Sequence, residues 1–285
     1  MKIKEALAAA ITQLEASSPT PDVDALYLLT HVLNSNTAWI FLHSDDALSE
    51  THDQAFSRLI ALRAQGLPIA YLTKTRGFWA LDFIVDERVL IPRPETELLI
   101  ELTLQVLPKD PICKVADLGT GSGAIALSLA HERKHWQIDA VDQSSDALTV
   151  AKLNAKQLEL PQVNFYCGSW CQPLPSKDYD AIISNPPYLA NDDPHLAQGD
   201  LRFEPQKALA SGTTGLEAYA EIIATAKDYL KDQGLLILEH GFEQRDALVA
   251  MLAAHEYQEL QVFDDYQGLA RVVMATRPLK SLKHE

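Results

Sequence analysis

The fold of this chain is decided by Asp117-Leu118-Gly119-Thr120-Gly121-Ser122-Gly123-Ala124. The apolar residues 114–118 before the glycines predict a buried strand, and residues 124–133 after them have the apolar spacing of a helix. A glycine-rich turn between a strand and a helix lets a ligand approach the backbone and the helix N-terminus. The stretch therefore predicts the first strand–loop–helix unit of an α/β fold, with a small-molecule site at the loop.

Strands and helices continue to alternate after this unit. Further strands are predicted at 137–141, 164–167, 180–184, 234–239, 259–263 and 270–275. Further helices are predicted at 145–158, 215–230 and 243–255. This alternation indicates a parallel sheet with helices on both faces, and the last two strands, which no helix separates, predict an antiparallel edge. The long irregular segment 189–214 is expected to form part of a substrate channel.

The N-terminal part of the chain has a different pattern. Apolar residues from Ile3 to Leu14 follow the helical period, Thr20-Pro21-Asp22 is typical of a helix start, and Ser49 is expected to begin another helix. The aromatic and β-branched residues 77–89 predict a short hairpin. We therefore expect a small helical domain at 1–75, a β-hairpin linker at 76–92 and an α/β domain at 93–285.

Composition restricts the classes of partner. The chain has 24 basic and 39 acidic residues, a formal net charge of −15, whereas affinity for DNA depends on basic groups that neutralise phosphates. The charge therefore favours a protein or small-molecule substrate over direct contact with nucleic acid. The sequence has no apolar run of about 18 residues and no signal-peptide layout, so we expect a cytoplasmic protein that does not enter a membrane. Three cysteines without a second ligand pair predict free thiols and no metal site.

The glycine spacing alone leaves two cofactors open. Gly119, Gly121 and Ala124 fit a dinucleotide loop, and Asp142 lies at a suitable distance to bind a ribose, so NAD and S-adenosylmethionine both remain. Asp117 favours S-adenosylmethionine, because its carboxylate would repel the pyrophosphate of NAD. Two unit charges about 4 Å apart interact by roughly 4 kcal/mol at an effective dielectric of about 20. The ammonium and sulfonium groups of S-adenosylmethionine are attracted instead. Trp170, after the third strand, is expected to border the adenine.

Asn185-Pro186-Pro187-Tyr188 follows the strand predicted at 180–184. The Asn185 side-chain oxygen and the Pro186 carbonyl can each accept one hydrogen of a planar NH2 group. The prolines fix the backbone and offer no competing N–H donor, and Tyr188 can stack on the group that carries the NH2. We interpret these residues as a clamp that holds an amide or adenine nitrogen for attack on a methyl group.

With these motifs, the chain resembles the class I S-adenosylmethionine-dependent methyltransferases, and within them the bacterial release factor glutamine methyltransferase family. The narrower resemblance rests on Gly77-Phe78-Trp79, Leu90-Ile91-Pro92-Arg93-Pro94-Glu95-Thr96-Glu97, Asn185-Pro186-Pro187-Tyr188 and Arg202-Phe203-Glu204-Pro205. It covers nearly the whole chain. The Asn-Pro-Pro-Tyr motif is shared with adenine amino methyltransferases that act on nucleic acid, which therefore remain the alternative.

The resemblance implies a Rossmann-like seven-stranded catalytic domain, a hairpin linker and an N-terminal helical domain that engages the release factor. The implied activity is methylation of the side-chain amide of the glutamine in the Gly-Gly-Gln motif of class 1 peptide chain release factors, by a protein expected to be a monomer. The implied cofactor contacts are Gly119, Thr120, Gly121, Ser122, Gly123, Asp142, Trp170 and Asn185, and the charge argument adds Asp117 as an expected contact. The substrate glutamine is expected at Asn185, Pro186, Pro187 and Tyr188, of which Asn185, Pro186 and Tyr188 are the expected catalytic residues.

Four charged residues near these motifs have no single predicted role. Arg202 and Glu204 are expected either to contact the protein substrate or to pair with each other. Glu95 and Glu97 are expected either to cap the helix that follows or to border the cofactor.

Overall fold

A computed structural model gives the structure of residues 1–279, which divide into two compact units. The first unit comprises Met1–Thr75 together with Ala197–Phe203. The second unit comprises Arg76–Leu196 and the chain from Glu204 onward. Residues 280–285, which end the predicted α/β domain, lie outside the described residues. Within the described part of the chain, no helix is long and apolar enough to cross a membrane.

The first unit is helical, as the sequence predicts. Its helices are α1 (Ile3–Leu14), α2 (Pro21–Val32), α3 (Thr37–Leu42), α4 (Glu50–Ala64) and α5 (Ile69–Thr73). Apolar faces of α1, α2 and α4 meet in one core, which includes Leu14, Leu28 and Phe56. Ser49 caps α4 by accepting from the His52 N–H. Helices α3 and α5 were missed because six and five residues are too few to show a clear apolar period.

A buried ion pair organises one end of the first unit. The Arg63 Nε donates to the Asp24 carboxylate at 2.6 Å, and its Nη1 donates to the Leu67 carbonyl at 3.0 Å. Asp200, from the segment Ala197–Phe203, lies 3.6 Å from the same guanidinium. This contact explains why a segment distant in sequence belongs to this unit.

The second unit contains a two-stranded hairpin and a seven-stranded sheet. Its strands are β1 (Thr75–Phe78), β2 (Leu81–Ile84), β3 (Lys114–Leu118), β4 (Gln137–Asp142), β5 (Val163–Cys167), β6 (Tyr179–Ser184), β7 (Leu230–Glu239), β8 (Gln258–Asp264) and β9 (Ala270–Thr276). Its helices are α6 (Glu97–Val106), α7 (Ala124–Glu132), α8 (Ser145–Gln157), α9 (Gln206–Leu209), α10 (Glu217–Ala226) and α11 (Arg245–Ala254).

The large sheet has the order β5-β4-β3-β6-β7-β9-β8. The strands β5, β4, β3, β6 and β7 are parallel, and β9 runs antiparallel to both β7 and β8. The predicted α/β class with an antiparallel C-terminal edge is therefore confirmed. The chain order reverses between β3 and β6, and ligands of such sheets bind outside the carboxyl ends of the strands at this point.

Two details of the prediction need correction. The sequence pattern predicts Leu230 at the end of a helix, but Leu230 begins β7, where it pairs with Tyr179 at a bulge in the ladder. The segment 189–214 is not irregular throughout, because it contains the 3₁₀ helices Pro194–Ala197 and Gly199–Phe203 and the one-turn helix α9. Such short helices lack the periodic apolar pattern from which a helix is predicted.

The predicted hairpin is held against α8. The backbone of Ile84 makes two hydrogen bonds with the side chain of the buried Asn154, which also donates to the Ser122 carbonyl at 2.9 Å. One side chain thus connects the hairpin, α8 and the glycine loop. The connection keeps the residues after the hairpin close to the carboxyl edge of the sheet.

Candidate active site

A cavity of about 550 Å³ lies at the carboxyl ends of β3, β4 and β6. Its walls include Gly119, Gly121, Asp142, Trp170, Asn185 and Pro187. The chain segments 88–90 and 205–208 complete the walls. Small-molecule sites generally have volumes of about 300–1,000 Å³, so the cavity has the size of a cofactor site. We call Gly119, Gly121, Asp142 and Trp170 the glycine-loop half of the site, and Asn185 to Tyr188 the clamp half.

Asp142 holds the glycine loop and still has hydrogen-bonding capacity. One carboxylate oxygen accepts from the Gly121 N–H at 2.9 Å, and the other accepts from the Ser144 N–H at 2.8 Å. Each oxygen retains a lone pair that can accept from a ribose hydroxyl. Burial raises the pKa of this carboxyl, against the lowering effect of the backbone hydrogen bonds. A carboxylate at this position suits a ligand that brings hydroxyl donors or positive charge.

Gly121 is the point at which a ligand can come closest to the backbone. Its φ of +57° lies in the left-handed region, and an added Cβ would find no atom within 4 Å. The absence of a side chain therefore leaves open space beside the loop. Gly119 lines the same cavity as Trp170.

Other residues of the glycine loop lie behind it. Asp117 is fully buried and accepts from the Thr120 hydroxyl at 2.6 Å and from the Ala126 N–H at 3.2 Å. Burial raises its pKa to about 7, and its Oδ1 has no hydrogen-bond partner. Thr120 and Ser122 are buried, and Gly123 precedes α7, where an added Cβ would meet Leu127 at 2.8 Å. None of these four lines the cavity, so their part in cofactor binding stays a prediction.

Trp170 forms one wall of the glycine-loop half. It has a φ of +45°, which is unusual for a bulky residue, and its indole N–H donates to Glu221 at 2.9 Å. An added Cβ on Gly119 would lie 3.7 Å from the indole ring. The ring is thus fixed beside the loop, where the sequence predicted an adenine wall. Strained residues cluster at functional sites, which agrees with this interpretation.

The clamp half begins where β6 ends. The Ser184 hydroxyl donates to the Leu118 carbonyl at 2.6 Å and fixes the ends of β6 and β3 together. The next residue, Asn185, donates from Nδ2 to the Thr96 hydroxyl at 3.1 Å. This orientation leaves the Asn185 Oδ1 as an acceptor. Pro186 is buried and Pro187 lines the cavity.

Tyr188 is held by its backbone on both sides. Its N–H donates to the Leu209 carbonyl at 3.2 Å, and its carbonyl accepts from Gln244 Nε2 at 2.9 Å. Burial raises the pKa of its phenol to about 12, and the nearby charge of Glu239 acts in the same direction. The ring is therefore a neutral, half-buried surface beside the prolines.

The structure shows what surrounds the four charged residues whose roles the sequence left undecided: Glu95, Glu97, Arg202 and Glu204. Glu204 pairs with Arg93 at 2.5 Å and accepts from the Ile91 N–H, while Arg202 donates to the Gly199 carbonyl. The suggested pair between Arg202 and Glu204 is thus replaced by other partners. Glu97 stands in the first turn of α6 and accepts from the Trp79 N–H at 2.7 Å. The charge of Glu95 raises the pKa of both Glu239 and Tyr188, which indicates that Glu95 lies near them.

Two residues of the site were missed by the sequence analysis. Thr96 is buried beside Asn185, and Glu239, at the end of β7, is buried next to both. A signal existed for Glu239, since an acidic residue that ends a buried strand beside β6 points to the same edge as Asn185. Thr96 lies within the quoted Pro-Glu-Thr-Glu stretch, but nothing local indicates its distant partner.

The sheet order, the glycine loop and the acidic end of β4 together define the architecture of a class I methyltransferase. A family model described as "Methyltransferase small domain" matches residues 96–204, and one described as "PrmC N-terminal domain" matches residues 5–73. A solved methyltransferase from Pyrococcus furiosus has a TM-score of 0.54 and 15% identity, and the match covers 78% of this chain and 100% of that one. At this identity the likeness shows the fold.

Closer relatives narrow the class. The release factor glutamine methyltransferase of Coxiella burnetii is 46% identical over 277 residues, which is 97% of this chain and 99% of the relative. The protein of the same name from Shewanella oneidensis is 46% identical over 272 residues, 95% of each chain. The chain belongs to the release factor glutamine methyltransferase family.

Proposed function

We propose that this chain transfers a methyl group from S-adenosylmethionine to the side-chain amide nitrogen of the glutamine in the Gly-Gly-Gln motif of class 1 peptide chain release factors. The observation that carries the proposal is that Asn185 and Pro187, just after β6, line the same cavity as Gly119, Gly121 and Asp142. A clamp for an NH2 group and a loop for a methyl donor thus border one space. The names of the full-length relatives agree with this activity.

The residues of the glycine-loop half fit the proposed cofactor. Asp142 would accept from the ribose hydroxyls, the open backbone at Gly121 would lie along the ligand, and Trp170 would cover the adenine. The carboxylate of Asp142 in the cavity wall, with that of Asp117 behind the loop, favours positive charge on the ligand. When bound, S-adenosylmethionine supplies an electrophilic methyl group on a positively charged sulfur.

The clamp half would prepare the amide nitrogen for attack. The lone pair of an amide nitrogen is delocalised into its carbonyl, so it is a poor nucleophile. The Asn185 Oδ1 and the Pro186 carbonyl would each accept one N–H, and Tyr188 would stack on the amide plane. Acceptors that hold the two hydrogens favour the pyramidal nitrogen of the transition state over the planar ground state.

The methyl transfer does not need a dedicated base to take the proton. The nitrogen forms a bond to the methyl carbon, the carbon–sulfur bond breaks with its electron pair on sulfur, and one N–H proton leaves to solvent. The nitrogen becomes strongly acidic as the bond forms, so its proton is lost readily. Orientation by the clamp would supply much of the rate.

The first unit is proposed to engage the release factor. Two of its helices expose apolar side chains, with Phe41 62% and Leu42 82% exposed on α3, and Val23 and Tyr27 exposed one turn apart on α2. Aromatic side chains such as those of Phe41 and Tyr27 are enriched at protein interfaces. We further propose that the protein acts in the cytoplasm as a monomer, without direct contact to nucleic acid.

Mass spectrometry of a purified release factor tests the activity. Incubation with this protein and S-adenosylmethionine should add one methyl group to the Gly-Gly-Gln glutamine, and a release factor in which that glutamine is alanine should gain none. Labelled methyl transfer to DNA or RNA, with none to the release factor, would instead show that this chain is an adenine amino methyltransferase.

A double variant tests the proposed role of the first unit. Phe41→Ser with Leu42→Ser should raise the KM for the release factor about tenfold, because two interface side chains are removed, while kcat stays unchanged. Ile112→Ser, which changes an exposed apolar residue of the other unit, serves as the control. An unchanged KM in the double variant contradicts the proposed engagement.

A further inference from the structure

A buried carboxyl lies directly behind the clamp. Glu239 ends β7, is only 2% exposed, and its Oε2 has no hydrogen-bond partner. In the parallel ladder of β6 and β7, Ser184 is opposite Leu238, so the next residues along, Asn185 and Glu239, are neighbours at the carboxyl edge. The mechanism proposed above gives this carboxyl no part.

Thr96 and Asn185 both contact this carboxyl. The Asn185 Nδ2 donates to the Thr96 hydroxyl oxygen at 3.1 Å, and both side chains lower the pKa of Glu239, which indicates that they lie close to its carboxyl. Thr96 is itself buried, which keeps its hydroxyl within this group. The NH2 side of the Asn185 amide therefore lies toward the Thr96 hydroxyl oxygen and the Glu239 carboxyl.

The ionised carboxyl fixes the orientation of the amide. A carboxylate only accepts hydrogen bonds, so the NH2 side of the amide must face Glu239 and its oxygen must face away. In the flipped orientation, the Asn185 Oδ1 would face the carboxylate, and neither group has a hydrogen to donate. The Asn185 Nδ2 would then face the NH2 group of the substrate amide (the guest), and both of these groups are donors. Only the first orientation presents an acceptor to the guest.

We propose that Glu239 is a positioning residue which, directly and through Thr96, fixes the Asn185 side-chain amide with its oxygen toward the guest NH2 group. The inference rests on the proposed function, because the guest is the glutamine amide of the release factor. Glu239 touches neither the guest nor the cofactor in this role. It acts on the reaction through Asn185.

The protonation state of Glu239 should control this orientation. A protonated carboxyl can donate to the Asn185 Oδ1, so the flipped amide is then tolerated. Burial raises the pKa of Glu239 to about 7, against the lowering effects of Thr96, Arg271 and Asn185. The charged and titratable groups that face it from the neighbouring elements are Glu95, Arg271, Tyr188 and Tyr219. The clamp should therefore lose its fixed orientation as the pH falls through about 7.

The test compares Glu239→Gln with the wild type in kcat for release factor methylation at saturating cofactor, from pH 6 to 9. A Gln side chain both donates and accepts, so it satisfies either orientation of Asn185. At pH 8 the variant should have about tenfold lower kcat, equivalent to about 1.4 kcal/mol. The deficit should shrink as the pH falls through about 7, because the wild type then loses the same orientation. A purely structural role would give a deficit that does not depend on pH.

Two further comparisons keep the test decisive. Thr96→Val should also lower kcat and Thr96→Ser should restore most of it, which tests the hydroxyl even where Glu239→Gln folds poorly. Glu259→Gln is the matched control, since Glu259 accepts from the Thr276 hydroxyl at 3.0 Å between β8 and β9, outside the site. It should change neither kcat nor the pH profile, and cofactor affinity should be equal in all variants.

The outcomes separate the inference from the proposed function. If the wild type methylates the release factor and Glu239→Gln keeps a wild-type kcat at every pH, the positioning role is wrong and the function stands. If the wild type methylates no release factor, the proposed function fails and the inference fails with it.

Discussion

The two halves of the site are built in different ways. Asp142 of the glycine-loop half binds an N–H 21 residues away, and Asp117, which lies behind this half, binds a hydroxyl three residues away. In the clamp half, Asn185 binds Thr96 across 89 residues, and the Tyr188 carbonyl binds Gln244 across 56 residues. The first half is thus a product of two consecutive strand–helix units, whereas the second depends on the completed fold. Substitutions in the two halves should therefore affect different steps.

The largest effect is expected from Asn185→Ala in the clamp half. The variant loses the Oδ1 acceptor for the guest amide, and loss of one preorganised hydrogen-bonding group at a reacting centre typically costs about 10²–10³-fold in kcat. Cofactor affinity, measured by calorimetry, should change little because Asp142 and the glycine loop are intact. Methylation of the release factor at the wild-type rate would contradict the clamp.

Asp142→Ala should weaken cofactor binding more than it lowers kcat, the reverse of Asn185→Ala. It removes the carboxylate proposed to bind the ribose and also the partner of the Gly121 N–H, and charged hydrogen bonds of this kind are worth about 1.5–3 kcal/mol. We expect the cofactor Kd to rise about 10- to 100-fold, with a smaller effect on kcat at saturating cofactor. Asp146→Ala, which changes an exposed acid in the first turn of α8, is the control. A large loss of kcat with unchanged Kd would show that the two halves do not act separately.

The difference between contacts close in sequence and contacts that need the completed fold also determines how much of the site the sequence could predict. The order of strands and helices, the antiparallel edge, and the side chains of Asp142, Trp170 and Asn185 follow from periodicity and from residues close to each motif. Asp117 shows the limit of local reasoning, because its position before the glycines suggests contact with a ligand, yet its carboxylate faces Thr120 and the first turn of α7. Glu239 and Thr96 meet Asn185 only after β6 and β7 pair, and no spacing rule connects positions 96, 185 and 239.

Gly215→Ala should disturb the clamp half through the backbone. Gly215 has a φ of +75°, and an added Cβ would lie 2.3 Å from the Tyr188 carbonyl oxygen. Gly268 is a matched control, since its φ is +77° and an added Cβ would meet nothing within 4 Å. A left-handed backbone costs a non-glycine residue about 1–2 kcal/mol, so both variants should lose this much in denaturant unfolding. Gly215→Ala should lose more and also lower kcat, with an unchanged cofactor Kd, and equal losses in both variants would exclude the clash.

The smallest expected effect is a pH dependence of the glycine-loop half. Burial raises the pKa of Asp117 to about 7, so this carboxyl gains a proton as the pH falls from 8 to 6, and burial also raises the pKa of Asp142. Loss of negative charge weakens attraction for a positively charged ligand, and we expect the Kd of S-adenosylmethionine to be about threefold higher at pH 6 than at pH 8. Calorimetry on the wild type and on Asp117→Asn measures it, and the variant should show a flatter profile.

Protonation of Asp117 does not itself destabilise the fold at low pH. A carboxyl whose pKa is higher in the folded state than in the unfolded state binds its proton more tightly when the protein is folded. The cost of keeping Asp117 charged in the core is therefore present above pH 7 and is relieved as the pH falls from about 7 toward 4. With respect to this group, the free energy of unfolding increases over the range in which the cofactor should bind more weakly. A thermal melt that stays constant or rises from pH 8 to pH 6, together with a rising Kd, would assign the effect to the charge of Asp117. A Kd independent of pH would show that the charge of Asp117 does not contribute to cofactor binding.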